Sequence, residues 1–573
     1  MNDELSELQK TAANEAPDEG AAPESIDVSE FSDKSEFIGR IVDVAGDGAV
    51  AVMDAEARAA ALTSGSKGLS MLGQIGSIAK IEVEGSWIFA IVRSVRSKGM
   101  SGAEAFGDEG DLLYIDMDFV GQSEESSDGS GNITVNRGIS KFPVPGQTVL
   151  TANDQDLALI FSARGRAHVT IGTLYPTHNV RATILIDNLL SRHFAVLGST
   201  GTGKSSAVAL LVHRIVEELP YAHVIILDPH NEYEEAFSEN GVHFDTENLK
   251  LPYWLMNFEE HIQVFIGIRT VDREVEVDIL KRCLLAARKK GAESVDVDRV
   301  TLDAPIPYRL SDLLEGIEAG MGKLEKPETL LPFLRLKNKI EELKNDRRYG
   351  FMFSGLLVSD NLADTVTRLL RFPAQGKPVS TLDLSGVPAD IVDVVVAVLC
   401  RLVFDFAVWS RKETQQPLLL ICEEAHRYVS GEQNARFGAA RKALERIAKE
   451  GRKYGVALGL VSQRPSDLSE TVLAQCGTVI AMRMNNDRDR DFVASAMPEG
   501  SQGFLDSLPS LRNRECIICG EGVTAPVRVR LDDLEADKLP SSTDPTFSTS
   551  WKEETADTEF VNKVIRRWRS QLR

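Results

Sequence analysis

Eight residues, GSTGTGKS at 198 to 205, constrain this chain more than any other feature. They fit G-x-x-x-x-G-K-[ST] at every fixed position, follow the apolar run FAVLG (194 to 198) and open an amphipathic helix, SSAVALLVHRIVEEL. That strand, loop and helix order is the context the pattern requires. Gly198, Gly201 and Gly203, with Ser199, Thr200 and Thr202 between them, let backbone N–H groups curl around phosphate oxygens. The helix N-terminus at Ser206 adds partial positive charge. Lys204 is expected to reach the β and γ phosphates of a nucleotide, and the Ser205 hydroxyl to ligate Mg2+.

A phosphate loop of this kind sits in an α/β sheet, and the surrounding pattern agrees. Apolar strands recur at VIILD (224 to 228), STLDL, LLLIC, VALGLVSQ and TVIAM, spaced by helical segments, which reads as a mostly parallel sheet covered on both faces. We assign residues 176–250 and 378–531 to this core. Between them, 251–377 loses the strand signal and becomes charged and amphipathic, as a helical insertion would. Residues 37–175 carry short Val- and Ile-rich runs such as FIGRIVDV, SWIFAIVRSV and AHVTIG, separated by Gly, Asp and Ser, the pattern of a small β-barrel or sandwich. The stretch 121 to 132 is a loop within it. Residues 1–36 hold eleven acidic and two basic side chains and read as a disordered acidic arm. A Ser-, Thr- and Asp-rich tail, 532–573, ends in a short basic helix.

Hydrolysis at such a loop needs carboxylates for the metal and for the attacking water. LLLIC runs into Glu423 and Glu424. We expect Glu423 beside Mg2+ and Glu424 at the water. A strand, VIILD or STLDL, lies in sequence between the phosphate loop and this pair, which suits the additional-strand P-loop ATPases. No N-K-x-D guanine signature accompanies it, so ATP is the expected nucleotide. Gln463 ends a strand next to the carboxylate strand, where it can sense the γ-phosphate. Arg452, in EGRKYG just before that strand, is placed to act as an arginine finger on a neighbour's nucleotide.

Taken in order, GSTGTGKS, LDPHNEY (227 to 233), LDLSGVP (382 to 388), ICEEAHRYV, IAKEGRKYG and SQRPSDLSETVLAQC resemble the HerA family of hexameric DNA translocases, from about Phe37 to the C-terminus. The resemblance implies a small β-barrel before a RecA-like core with a helical insertion, and a homohexameric ring. It implies the roles above for Lys204, Ser205, Glu423, Glu424, Arg452 and Gln463. It adds Asp228, His230 and Glu232 as a motif lining the site, and Arg192 as a second arginine reaching a neighbouring nucleotide. The family's DPHGEY is DPHNEY here, and Asn tolerates the positive φ that the glycine would supply. The resemblance also implies a separate effector subunit, a NurA-like nuclease or another such as a sirtuin-like subunit, in DNA end processing or antiphage defence.

With 86 acidic and 64 basic residues the chain carries a formal charge of −22, so any contact with double-stranded DNA has to be local, because neutralised phosphates supply most of the affinity. The basic segment 436 to 453 offers such a place, and we expect Arg436, Arg441 and Lys442 to touch the backbone. The basic C-terminal helix fits either a DNA contact or docking on the next subunit. Six cysteines in a chain of 573 residues make no disulfide framework, and the N-terminus carries no signal-peptide pattern, which points to the cytoplasm. Cys516 and Cys519 sit on opposite faces of a strand and have no partners for zinc. The apolar stretch Ile391 to Trp409 is broken by Asp393, Arg401 and Asp405 and reads as a buried helix, with no membrane span. A conjugation or segregation pump of the FtsK or VirB4 type is disfavoured for lack of a transmembrane segment or winged-helix tail. Two functions remain: a motor that moves double-stranded DNA, and an ATP-switched scaffold that assembles an effector.

Overall fold

The computed structural model describes residues 35–54, 57, 74–97, 112–125, 133–175, 177, 179–267, 273–292, 296–322, 327–354, 359–430, 438–497, 505–541, 547–552 and 557–570. The expected acidic arm lies outside the described residues except at Ser35 and Glu36, and so do most of the loop 121–132 and Arg436.

Strands β1 (Phe37–Val44), β2 (Gly48–Met53), β3 (Ile78–Val83), β4 (Ser86–Ser97), β5 (Leu113–Glu125), β6 (Ile133–Arg137) and β7 (Thr148–Thr151) form one antiparallel sheet in the order β2-β1-β7-β3-β4-β5-β6. A further β2–β5 pairing, running from Gly48↔Asp118 to Val52↔Tyr114, closes it into a six-stranded barrel with β6 outside the ring. Ile41, Ala51, Ile81, Ile88, Ile115 and Val149 fill the interior, the inward half of each alternating strand.

The second sheet has eleven strands: β8 (His168–Leu174), β9 (Arg181–Leu185), β10 (Phe194–Leu197), β11 (Val224–Asp228), β12 (Gly241–Phe244), β13 (Val379–Asp383), β14 (Leu418–Cys422), β15 (Val456–Ser462), β16 (Thr478–Met482), β17 (Glu515–Gly520) and β18 (Val527–Leu531). Their order is β12-β13-β11-β14-β15-β10-β16-β17-β18-β8-β9. The first seven in this order are parallel and the rest antiparallel. Every residue of β10, β11, β14, β15 and β16 is buried, because helices cover both faces. That explains why these strands read as continuous apolar runs without alternation. This is a RecA-like, additional-strand P-loop ATPase core. The strand that stands in space between the phosphate-loop strand β10 and the carboxylate strand β14 is β15. VIILD and STLDL, which the sequence order pointed to, lie on the far side of β14.

One assignment changes. AHVTIG, expected in the barrel, is β8, and it pairs antiparallel with β18 in the large sheet, Val529↔Leu174. On its other side β8 pairs with the edge strand β9, His168↔Leu185, and a strand in such an antiparallel flank alternates just as a barrel strand does. The barrel and the large sheet meet through Arg137 at the end of β6, which donates to the carbonyls of Gly520, Val523 and Thr524 around the β17–β18 turn.

The helix α1 (Lys204–Glu218) follows β10. Between β12 and β13 come helices α2 (Phe258–Phe265), α3 (Glu274–Gly291), α4 (Leu310–Met321), α5 (Pro327–Asn345) and α6 (Leu362–Leu370). Their core contains a fully buried arginine, Arg288, which donates to the carbonyls of Trp254, Met256 and Ala304. These bonds to its two terminal nitrogens offset part of the cost of burying the cation. The insertion is tied to α7 (Val392–Trp409) by the Arg401–Glu260 ion pair at 2.9 Å and by Gln263 donating to Asp393 at 2.7 Å. Helix α7 is buried along most of its length, and among the described residues no helix is long and apolar enough to cross a membrane. The basic segment forms α8 (Gly438–Tyr454) between β14 and β15, and the tail ends in α9 (Thr558–Ser570).

Candidate nucleotide site

The phosphate loop hangs between two neighbours of β10. Gly198 N–H donates to Ser462 O at 3.3 Å and Ser199 N–H to Arg483 O at 2.9 Å, so the loop is fixed to the ends of β15 and β16. Gly201 and Gly203 take φ of +75° and +97°, a region that costs a side-chain-bearing residue roughly 1 kcal/mol or more. Glycine is therefore what lets the loop turn. Thr202 Oγ1 donates back to Ser199 O at 2.8 Å, closing it, and Ser206 stands in the first turn of α1. Lys204 is buried and donates to Ser199 O at 3.1 Å. Burial pulls its ammonium down, and Glu424, Glu423 and Glu232 push the other way.

Strands β11 and β14 end side by side, Leu227 opposite Cys422, and deliver the acidic groups to the same edge. Asp228 is buried and accepts from His230 N–H at 3.1 Å and Tyr233 N–H at 2.9 Å, closing the DPHNEY turn. Asn231 sits in that turn at φ +55°, as its ability to replace glycine implies. Glu232 accepts from the Ser205 hydroxyl at 2.6 Å. The His230 ring is exposed. Glu423 is buried and accepts from the Tyr233 hydroxyl. Burial raises its carboxyl to about 8, Glu232, Glu424 and Asp228 adding repulsion against the opposing Tyr233 bond. Burial likewise raises Asp228 to about 6.

Glu424 adopts a left-handed conformation, φ +48°, a strain of order 1 kcal/mol. Gln463 offsets it: its amide donates to Glu424 Oε1 at 3.0 Å and its carbonyl oxygen accepts from the Thr200 hydroxyl. A hydrogen bond to a charged group contributes about 1.5–3 kcal/mol. Gln463 thus links the phosphate loop to the second carboxylate, a connection possible because β15 runs between their strands. His426 Nδ1 lies 3.2 Å from Glu424 Oε2 and 3.3 Å from Ser462 Oγ.

Ser205, Glu423 and Glu232 supply hard oxygen donors, and burial, with repulsion from Glu232, Glu424 and Asp228 added, disfavours the charged form of Glu423 unless a cation joins it. Both features fit Mg2+. Mg2+ commonly takes one or two protein ligands and completes its shell with phosphates and water; among the described residues no three acidic, His or Cys groups converge as a metal cage.

The remaining expected residues lie elsewhere. Arg192 precedes β10 and Arg452 precedes β15, and these strands are parallel. Both arginines therefore stand at the opposite edge of the sheet from this chain's own phosphate loop, and neither joins the cluster around Lys204. Arg192 pairs with Glu521 at 2.7 Å, and Arg452 is exposed. Between them His193, buried at φ +57°, accepts from Leu458 N–H and bonds Ala448 O, tying β10 to β15 and the last turns of α8. On α8, Arg441 is paired with Glu445 at 2.8 Å, whereas Lys442 is exposed and lines a cleft of about 1250 Å3 between α8 and the insertion.

Sequence reasoning did not single out Tyr233 or His426. A tyrosine closing a loop and a histidine after a strand are ordinary core and surface residues by pattern, and nothing marks their partners.

Residues 169–403 match the family model described as the central domain of helicase HerA. The DNA double-strand break repair helicase HerA of Pyrococcus furiosus is 30% identical over 437 residues, 67% of this chain and 73% of that protein. The chain belongs to the HerA family. The protein of the same name from Saccharolobus solfataricus is 30% identical over 421 residues, 72% of this chain and 77% of that one. Among solved structures, VirB4 of Thermoanaerobacter pseudethanolicus aligns with a TM-score of 0.47 at 17% identity, covering 65% of this chain and 98% of that one. None of the six cysteines of this HerA-family ATPase, all of them among the described residues, forms a disulfide.

Proposed function

We propose that this chain is an ATP-driven translocase of double-stranded DNA that works as a homohexameric ring with a separate effector subunit. The observation that carries the ring is the division of the site: the phosphate loop, Glu423, Glu424 and Gln463 gather at one edge of the sheet, while Arg192 and Arg452 face outward at the other. A head-to-tail ring brings the second edge of one copy to the first edge of the next.

In this reading Lys204 and the loop amides hold the triphosphate, Ser205 and Glu423 hold Mg2+, which supplies charge neutralisation at the phosphates, and Glu424 orients the water. Gln463 carries the state of the γ-phosphate side of the loop to Glu424. Arg452 completes the neighbour's site. The relatives' printed name, DNA double-strand break repair helicase, supports a DNA substrate and end processing. The effector, a NurA-like nuclease or another such as a sirtuin-like subunit, the alternative setting of antiphage defence and the cytoplasmic location belong to the same proposal.

DNA contact is assigned to α8, with Lys442 and the ion-paired Arg441, and to Arg436. Reversing the charge at the three positions is expected to abolish stimulation of the ATPase by double-stranded DNA while leaving basal turnover within about twofold, since none of the three is assigned to the nucleotide cluster. Unaltered stimulation would reject this assignment. Displacement of a bound roadblock separates the motor from an ATP-switched scaffold, which would assemble with its effector and displace nothing.

A further inference from the structure

Tyr233, the last residue of the DPHNEY loop, is fully buried. Its backbone N–H donates to Asp228 and its ring stacks on Phe237 with centroids 6.1 Å apart, so the phenol has one direction. In that direction its hydroxyl donates to Glu423 Oε1, 190 residues further along the chain. Glu423 Oε2 accepts from the N–H of Glu424 at 3.3 Å. The same loop supplies Glu232 to the Ser205 hydroxyl at 2.6 Å. One short loop therefore engages both groups expected to bind Mg2+. A buried tyrosine hydroxyl needs an acceptor, and a backbone carbonyl would satisfy it. Here the acceptor is a carboxylate of the nucleotide site.

We propose that Tyr233 is a positioning residue for the metal site: its hydroxyl fixes the rotamer of Glu423, so that the other carboxylate oxygen is presented to the Mg2+ of the bound nucleotide. This rests on the reading of Glu423 as a metal ligand. Hydrogen-bond partners behind metal-ligating groups typically control metal affinity by about 10- to 100-fold.

The test uses the full-length protein, ADP as nucleotide and Mn2+ as an ion visible by electron paramagnetic resonance in place of Mg2+. Tyr233→Phe removes one hydroxyl and keeps the ring. It is expected to raise the Kd for Mn2+ about tenfold and to leave ADP affinity in EDTA unchanged. Glu423→Gln is expected to weaken Mn2+ at least as much, with no further loss when the two changes are combined. Normal Mn2+ affinity in Tyr233→Phe, with loss in Glu423→Gln, overturns the inference and spares the ligand assignment. Normal affinity in Glu423→Gln overturns both. A loss of metal-free ADP affinity in Tyr233→Phe as large as the loss of Mn2+ marks a packing defect and also overturns the inference.

Discussion

The two edges of the parallel sheet differ in how far they are finished within one chain. At the edge where the strands end, Lys204, Ser205, Glu232, Tyr233, Glu423, Glu424, Gln463 and Thr200 are joined by hydrogen bonds or burial into one cluster. At the edge where the strands begin, Arg452 is exposed and Arg192, nearly half exposed, is parked on Glu521. The first edge has its geometry without help. The second offers long cationic side chains whose use depends on what is brought to them. Preorganisation and incompleteness thus sit on opposite sides of the same strands, which is what a site shared between neighbouring subunits requires.

The sharpest way to break the first edge is at its reacting groups. Lys204→Ala and Glu424→Gln are each expected to lower ATP turnover by about a thousandfold or more, the scale of losing a phosphate-charge or water-activating group. The two should differ in binding: Glu424→Gln retains ATP, measured by equilibrium binding of a fluorescent analogue, and Lys204→Ala does not. Normal turnover in Glu424→Gln would remove that residue from its role.

A second effect sharpens the contrast through pH. Glu423 in the folded chain is raised from 4.5 to about 8, so the folded state favours its protonated form. Its stabilising contribution is complete below pH 4.5 and is lost as pH rises through about 8. Asp228, raised from 3.8 to about 6, acts in the same direction. In EDTA, stability should therefore fall between about pH 4 and 8, by an amount on the order of 5–8 kcal/mol with Glu423 the larger contributor, measured by chemical denaturation. Glu423→Gln should flatten most of that slope. Mg·ADP should flatten it too, because a nearby cation favours the carboxylate.

How much of this was legible in the sequence differs between the same two edges. GSTGTGKS, the paired glutamates and Gln463 could be placed because each ends an apolar run, and a fully covered parallel strand has no other way to read. The barrel and the insertion were legible for a related reason, the switch from short Val- and Ile-rich runs to charged helical spacing. AHVTIG was misplaced because alternation says how a strand is covered and is silent on which sheet it joins. The bond from Tyr233 to Glu423 spans 190 residues, and no local pattern encodes a contact made by the order of strands in space. Arg441 was expected to touch DNA phosphates, and on α8 its side chain is held by Glu445 one turn on. Arg192 and Arg452 were expected at a neighbour's nucleotide, and their position at the far edge of the sheet from this chain's own phosphate loop is compatible with that proposal.

That division of the site is tested most directly by mixing. Arg452→Ala keeps its own phosphate loop and lacks the finger, and Lys204→Ala keeps the finger and lacks a working loop. Each alone is expected to be nearly inactive. When the two are unfolded, mixed in equal amounts and reassembled, ~one interface in four joins an intact loop to an intact arginine if subunits meet head to tail at random. ATPase activity should then reappear at a corresponding fraction of the reassembled wild-type level. Mixed assemblies that form, verified by two differently tagged chains co-purifying, and yet hydrolyse no more ATP than either parent would contradict a site shared across subunits.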